Sequence, residues 1–146
     1  MREIKFRGFS KKHQQWLTGN YILNRGAHFI APVDEPADGK TWEDYEVDPD
    51  TVGQYTGLTD KNGREIYEGD VVECVSWNEY FSDGNGNTME PFRRKMHVEY
   101  MNGGFKMVEP MPEPMKDNAW DIICNGDIII IGNIHDNPEL LKRNEQ

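Results

Sequence analysis

The chain has 146 residues, with 26 Asp and Glu against 16 Lys and Arg for a net charge of −10, and 36% of it is hydrophobic and 11% aromatic. That length suits one domain or a compact barrel with an elaborated arm, and the aromatic and aliphatic share supports a packed core, which excludes a disordered chain. No stretch approaches a membrane span, residues 1–20 hold no apolar signal core, and the charge repels phosphate; the expectation is a cytoplasmic protein, without a membrane, that binds free duplex DNA weakly or not at all.

The opening Ile4-Lys-Phe-Arg alternates apolar and basic residues, the period of a half-exposed strand. After the polar turn Ser10 to Gln15, Trp16 and Leu17 begin a second strand, so residues 3–24 read as a hairpin or meander. Up to Arg25 the chain carries Arg2, Lys5, Arg7, Lys11, Lys12 and Arg25 against Glu3 alone, an excess of five positive charges that leaves −15 on the remainder. This basic start is expected to dock on acidic neighbours within the chain; contact with nucleic acid is the lesser reading. His28 to Val33 reads as a further strand. The acidic stretch 34–50 holds Asp34, Glu35, Asp38, Glu43, Asp44, Glu46, Asp48 and Asp50 against Lys40, with Pro36 and Pro49, and reads as a long surface loop anchored by Trp42 and Tyr45.

From Val52 the pattern is β. Asn62-Gly63 lies between two β-prone runs and Asn102-Gly103 between Met96–Met101 and Phe105–Glu109, both hairpin signals because Asn and Gly tolerate positive φ. Gly69-Asp70 opens the strand 71–75, and the echo at Gly126-Asp127 reads as a second strand entry rather than a repeat. Residues 82–88 read as loop, and Pro110, Pro112 and Pro114 forbid regular pairing. Asp121 to Cys124 and Ile128 to Ile134 read as strands, with Ile128 to Ile131 buried on both faces for want of alternation. Asn137-Pro138-Glu139 supplies a cap, a first-turn proline and an early acid for a short helix to about Lys142 or Arg143.

Catalytic chemistry finds little support. Asp83-Gly-Asn-Gly-Asn87 begins like a calcium loop but has Thr88 at the glycine position and Arg94 at the bidentate carboxylate position. His13, His28, His97 and His135 are scattered, and Cys74 and Cys124 lie far apart in apolar runs, as expected of buried free thiols. His135-Asp136 could belong to a metallo-hydrolase, but Asp136 is better placed for helix entry. There is no phosphate loop, nucleophile elbow or dinucleotide fingerprint. The expectation is no enzyme activity and no cofactor. Among the aromatic residues, Trp77, Tyr80 and Phe81 are the surplus most available for contacts.

Three segments together resemble the YopX family of phage and prophage proteins: Arg2-Glu-Ile-Lys-Phe-Arg, the block Val52-Gly-Gln-Tyr-Thr-Gly-Leu-Thr-Asp-Lys-Asn-Gly-Arg-Glu-Ile-Tyr-Glu-Gly-Asp-Val-Val, and Ile131-Gly-Asn-Ile-His-Asp-Asn-Pro-Glu-Leu-Leu. Residues 20–50 and 76–120 match loosely. The resemblance implies a β-rich fold with an SH3-like barrel in the C-terminal part, in a protein carried by mobile elements, and it brings no catalytic residues. The resulting expectation is a mainly β chain: an N-terminal β-arm and acidic loop over 1–51, then an SH3-like barrel with a short C-terminal helix over 52–146, unless the two form one domain. The first functional reading is a non-enzymatic interaction module with a protein partner, engaged through Trp42, Asp44, Tyr45, Trp77, Tyr80 and Phe81. Asn62, Gly63, Gly69, Asp70, Asn102, Gly103, Asn137 and Pro138 serve the turns. An acidic nucleic-acid mimic and a small metal-dependent hydrolase stay open as alternatives. A homo-oligomer is expected, with the segment Ile4 to Phe9 pairing on a neighbour.

Overall fold

The computed structural model describes residues 2–32, 39–76, 92–109, 118–122 and 127–141. Ten strands carry it: β1 (Phe6–Ser10), β2 (Gln15–Asn24), β3 (Ala27–Ala31), β4 (Gly53–Thr59), β5 (Glu65–Tyr67), β6 (Asp70–Ser76), β7 (Phe92–Met101), β8 (Gly104–Glu109), β9 (Asn118–Asp121) and β10 (Asp127–Asn133). Short 3-10 turns lie at Trp42–Tyr45, Pro49–Thr51 and Pro138–Leu141. The strands form two antiparallel five-stranded sheets, ordered β3-β2-β1-β4-β5 and β10-β6-β7-β8-β9, so the chain is mainly β. No helix among the described residues is long and apolar enough to cross a membrane. The chain divides into two compact units, Met1–Leu58 and Thr59–Gln146.

In the first unit, the alternation read from the opening residues becomes two used faces. Phe9 pairs with Trp16 across β1 and β2, and their rings meet edge-on at 5.5 Å. Arg7, one step along the same face, lays its guanidinium over the Trp16 ring at 4.9 Å, and Lys5 sits 4.9 Å over Tyr55. These basic residues are therefore held by aromatic faces, a favourable contact even at a half-exposed site. The hairpin read over residues 3–24 is present, and β1 is also paired on its other side: it pairs with β2 on one side and with β4 on the other, and the Lys5 carbonyl accepts the Tyr55 N–H at 2.9 Å. Pairing within the chain leaves that strand no edge for a neighbour, and the motive for an oligomer built on it falls away.

The second unit is a meander. Adjacent strands β6, β7, β8 and β9 pair in sequence, and β10 returns to pair with β6. Val72, Met96, Val98, Met107, Ile128 and Ile130 are buried on one side of this sheet. The β7–β8 connection is the two-residue turn read from the sequence, with Asn102 at φ 50° and Gly103 at φ 81°, the backbone twist that suits antiparallel strands. Gly63 also holds positive φ, at 80°, but Asn62 does not, so the first Asn-Gly sits in a longer turn.

Several expectations for this half are corrected. β9 runs over Asn118–Asp121, starting before the strand read over 121–124, because the ladder to β8 pairs Met107 with Trp120 and Val108 with Ala119; residues 123 and 124 lie outside the described residues. Ile128 to Ile131 is not buried on both faces: Ile128 and Ile130 are, whereas Ile129 and Ile131 are half-exposed, so burial alternates where the sequence does not. The sheet is no closed barrel; among the described residues no ladder joins β9 to β10, and the turn 60–64 occupies the outer edge of β10 instead. The short C-terminal helix is of 3-10 type over Pro138–Leu141; Lys142 and Arg143 lie outside the described residues. The calcium-like segment 83–91, the prolines at 110, 112 and 114, Cys124 and the acidic residues 34–38 lie outside the described residues.

Candidate functional site

The acidic stretch is tied down rather than loose where it is described. Thr41 and Asp44 open its first 3-10 turn reciprocally: the Thr41 N–H donates to Asp44 Oδ2 at 2.9 Å, and the Asp44 N–H donates to the Thr41 carbonyl at 3.0 Å. A Thr-x-x-Asp spacing in the sequence is the signal for this arrangement. The next residues form a strap. Val47 N–H donates to the His28 carbonyl of β3, and the adjacent Asp48 N–H donates to the Phe9 carbonyl of β1, each at 2.9 Å. Buried Thr51 completes it, its Oγ1 accepting the Phe9 N–H at 2.8 Å and donating to the Asp48 carbonyl at 2.6 Å. Gly8 is required beneath the strap, since a Cβ there would stand 2.8 Å from the Val47 side chain.

The basic β1–β2 turn faces this strap, as its charge suggested. Lys12 Nζ reaches Asp44 Oδ1 at 3.1 Å and His13 Nε2 reaches the same oxygen at 2.9 Å, while Lys11 reaches Asp48 at 3.3 Å. The Thr41 N–H, then Lys12 and His13, hold the Asp44 carboxyl well below the usual carboxylate range. Between turn and strap lies a cleft of about 380 Å³, lined by Lys11, Lys12, Glu43, Glu46, Val47, Asp48 and Pro49. Trp42 stands at the first 3-10 turn, 40% exposed, with its ring edge-on to Phe29 at 5.8 Å and to Tyr45 at 6.5 Å. Tyr45 is only 8% exposed, so it is an anchor of the strap and not contact surface. Of the contact residues read from the sequence, Trp42, Asp44 and Tyr45 thus share one 3-10 turn, and Trp77, Tyr80 and Phe81 lie outside the described residues.

The turn residues divide into buried and exposed work. Asp70, 2% exposed, accepts the Tyr67 N–H at 2.8 Å, and Gly69 bonds to both Val98 and Ile134 through its backbone at 2.8 Å. Asp127 in the echoing position instead takes Lys61 at 3.3 Å near the surface. Asp60, at the head of the first Asn-Gly turn, is 6% exposed and accepts the N–H groups of Asn62 and Arg64 on one oxygen, each at 2.9 Å. An Asp two residues ahead of Asn-Gly was its signal.

The remaining titratable groups do not converge. Asn133 Oδ1 accepts the N–H groups of His135 and Asp136 at 3.0 and 2.9 Å, and its amide donates to Asp136 at 3.0 Å, so both residues of the dyad that a metallo-hydrolase would need serve a turn. Asn137 closes that turn, its N–H on the Asn133 carbonyl at 2.8 Å, and Pro138 begins the 3-10 turn. His28 Nδ1 meets the Tyr21 hydroxyl at 2.6 Å, and His97 Nε2 meets Glu99 at 3.1 Å. Cys74 is a free, half-buried thiol, and burial pushes its pKa up despite the nearby Arg94. Among the described residues, no group of three or more His, Cys, Asp or Glu is placed to hold a metal ion.

Comparison with known proteins bears on the fold and the family. The sequence model described as YopX protein matches residues 5–142. The solved structure described as protein EF1440 from Enterococcus faecalis superposes with a TM-score of 0.55 at 24% identity, covering 97% of this chain and 100% of that one. At this identity the likeness speaks for the fold alone. No curated protein matches the chain.

Proposed function

The chain belongs to the YopX protein family over residues 5–142, and from that premise we propose that it is a non-enzymatic interaction module with a protein as partner. One observation carries this reading: the cleft beside the strap, where Glu43 and Glu46 offer exposed carboxylates, with the partly exposed Trp42 ring on the same 3-10 turn as Glu43. Carboxylates next to an aromatic face suit a cationic segment, since Lys and Arg gain both charge attraction and a cation–π contact. The basic turn is spent inside the molecule, with Lys11 and Lys12 on Asp48 and Asp44. That supports weak affinity for free duplex DNA, because phosphate binding needs uncommitted positive charge. The same pairing counts against a nucleic-acid mimic, which needs those carboxylates facing outward.

The order β10-β6-β7-β8-β9, a meander whose last strand returns to its first, supports an SH3-like C-terminal part. Family and fold also support a phage- or prophage-encoded protein acting in the bacterial cytoplasm. The test is capture from host lysate with and without nuclease, using the wild type and a Trp42→Ala, Glu43→Lys, Glu46→Lys variant. A protein retained by the wild type, indifferent to nuclease and lost from the variant is the expected result. Nuclease-sensitive capture would transfer support to a nucleic-acid role, and capture by both proteins alike would remove the cleft from the proposal.

A further inference from the structure

We propose that the Asp60 turn is a guard that occupies the open edge of the second sheet and prevents a second copy of this chain from pairing there. β10 stands at the end of the sheet order, with β6 on one side. On its other side, three main-chain groups of Ile128 and Ile130 are taken in turn. Asp60 Oδ2 accepts the Ile130 N–H at 3.1 Å, the Lys61 N–H donates to the Ile128 carbonyl at 2.9 Å, and the Arg64 guanidinium reaches the Ile130 carbonyl at 3.4 Å. Two-residue spacing along one strand is the spacing at which a further strand would bond. The turn therefore supplies a sixth strand's hydrogen bonds from one carboxylate, one amide and one guanidinium.

The turn is built to hold that position. Asp60 Oδ1 binds the Asn62 and Arg64 N–H groups, the Asp60 N–H donates to the Arg64 carbonyl at 2.8 Å, and the Gly63 N–H returns to the Asp60 carbonyl at 3.0 Å. Lys61 also reaches Asp127 at the start of β10. What it covers gives the reason. Ile128-Ile-Ile-Ile131 is an uncharged, strongly β-prone run, and such a run on an open edge pairs with its own kind. The occupant excluded is a second copy, because β10 laid antiparallel on β10 makes a self-complementary twofold contact.

Asp60→Asn cannot serve the turn and the strand edge together. Its one carbonyl oxygen can serve the Asn62 and Arg64 N–H groups or the Ile130 N–H, and its amide donates where an acceptor is needed at the other. Lys61→Pro removes the second bond from the opposite side, at a turn position that accepts proline. For each variant, Ile130 amide exchange and the weight-average mass across a concentration series are compared with wild type. Exchange at Ile130 should accelerate at least about tenfold, and mass should rise toward that of a dimer of the wild-type species. A folded variant whose mass curve overlays wild type overturns the proposal. Wild type alone provides a check that survives misfolding of either variant: an Ile130 amide exchanging as fast as an unprotected one means the edge is not guarded.

Discussion

In the strap, Asp44 takes Lys12 and His13 as partners, side chains that water also reaches, and adds one backbone N–H from Thr41. In the 60–64 turn, Asp60 takes only backbone N–H groups, from Asn62, Arg64 and Ile130, and is nearly buried. Both carboxyls are held below their ordinary pKa, by different means. Burial pushes Asp60 up, and the N–H groups of Ile130, Arg64 and Asn62 outweigh it. An exposed ion pair can be replaced by water at little loss, whereas a buried carboxylate leaves its donors with nothing. Stability and recognition therefore reside in different places: the acidic strap is a surface with adjustable charge, and the buried Asp60 is a structural fastening.

The largest effect should come from removing that fastening. Asp60→Ala strands three N–H groups, one of them on the edge strand β10, and should cost about 3 kcal/mol, since hydrogen bonds to a charged group are the stronger kind. Chemical denaturation would measure it, and a loss below roughly 1 kcal/mol would equate the turn with the strap. The same carboxyl sets the acid limit. Its folded pKa lies below the ordinary 3.8, so its contribution is complete above that value and disappears as pH falls through the folded pKa. Melting temperature should hold from roughly pH 7 to 5 and drop below about 4, and Asp60→Asn should drop less steeply over that interval. Parallel curves would assign acid sensitivity to other carboxylates.

Intermediate effects lie in the backbone. Gly103→Val asks a β-branched residue to hold φ 81° and should cost about 1–3 kcal/mol, although nothing stands within 4 Å of its new Cβ. Gly8→Ala has ordinary backbone freedom but meets Val47, and should cost a similar amount, roughly 1–3 kcal/mol, by lifting the strap. Thermal melts separate the two causes if Val47→Gly is added, which removes the Val47 Cβ at 2.9 Å together with both γ-methyls. That second change should rescue Gly8→Ala and leave Gly103→Val untouched.

These positions also mark what the sequence could disclose. Local signals were readable: Asn102-Gly103 as a hairpin, Asp136 as part of the entry to the last helical turn, and the basic start docking on acidic residues. Contacts set by distant partners were not. Nothing near Gly8 announces Val47, and nothing near Ile128 announces that Asp60 would bond at its edge. Period-2 burial of Ile128 to Ile131 is imposed by the sheet on four identical side chains, so composition alone could not divide them. Trp120 likewise joined a strand earlier than expected because the ladder to β8 overrides local preference. For the site, Trp42 and Asp44 were legible as an aromatic among acids, but the division between outward Glu43 and Glu46 and pinned Asp44 and Asp48 required the fold.

The smallest expected effect tests the strap's side of the comparison. Lys11 is largely exposed, its side chain at 75%, and Asp48 already accepts the Asp50 N–H at 3.1 Å, so truncating the lysine strands no buried group. Lys11→Ala should therefore cost less than about 1 kcal/mol, and that cost should vanish near 1 M salt, where screening acts within about 3 Å. Its effect on partner capture should be larger in proportion, because losing a cation beside Glu43 and Glu46 makes the cleft more negative toward a cationic segment. Denaturation at two salt concentrations and capture by the same variant would be read together. A cost above roughly 2 kcal/mol that persists in high salt would show that the strap's ion pairs fasten the fold as Asp60 does. The contrast between an adjustable acidic surface and a buried fastening would then fail.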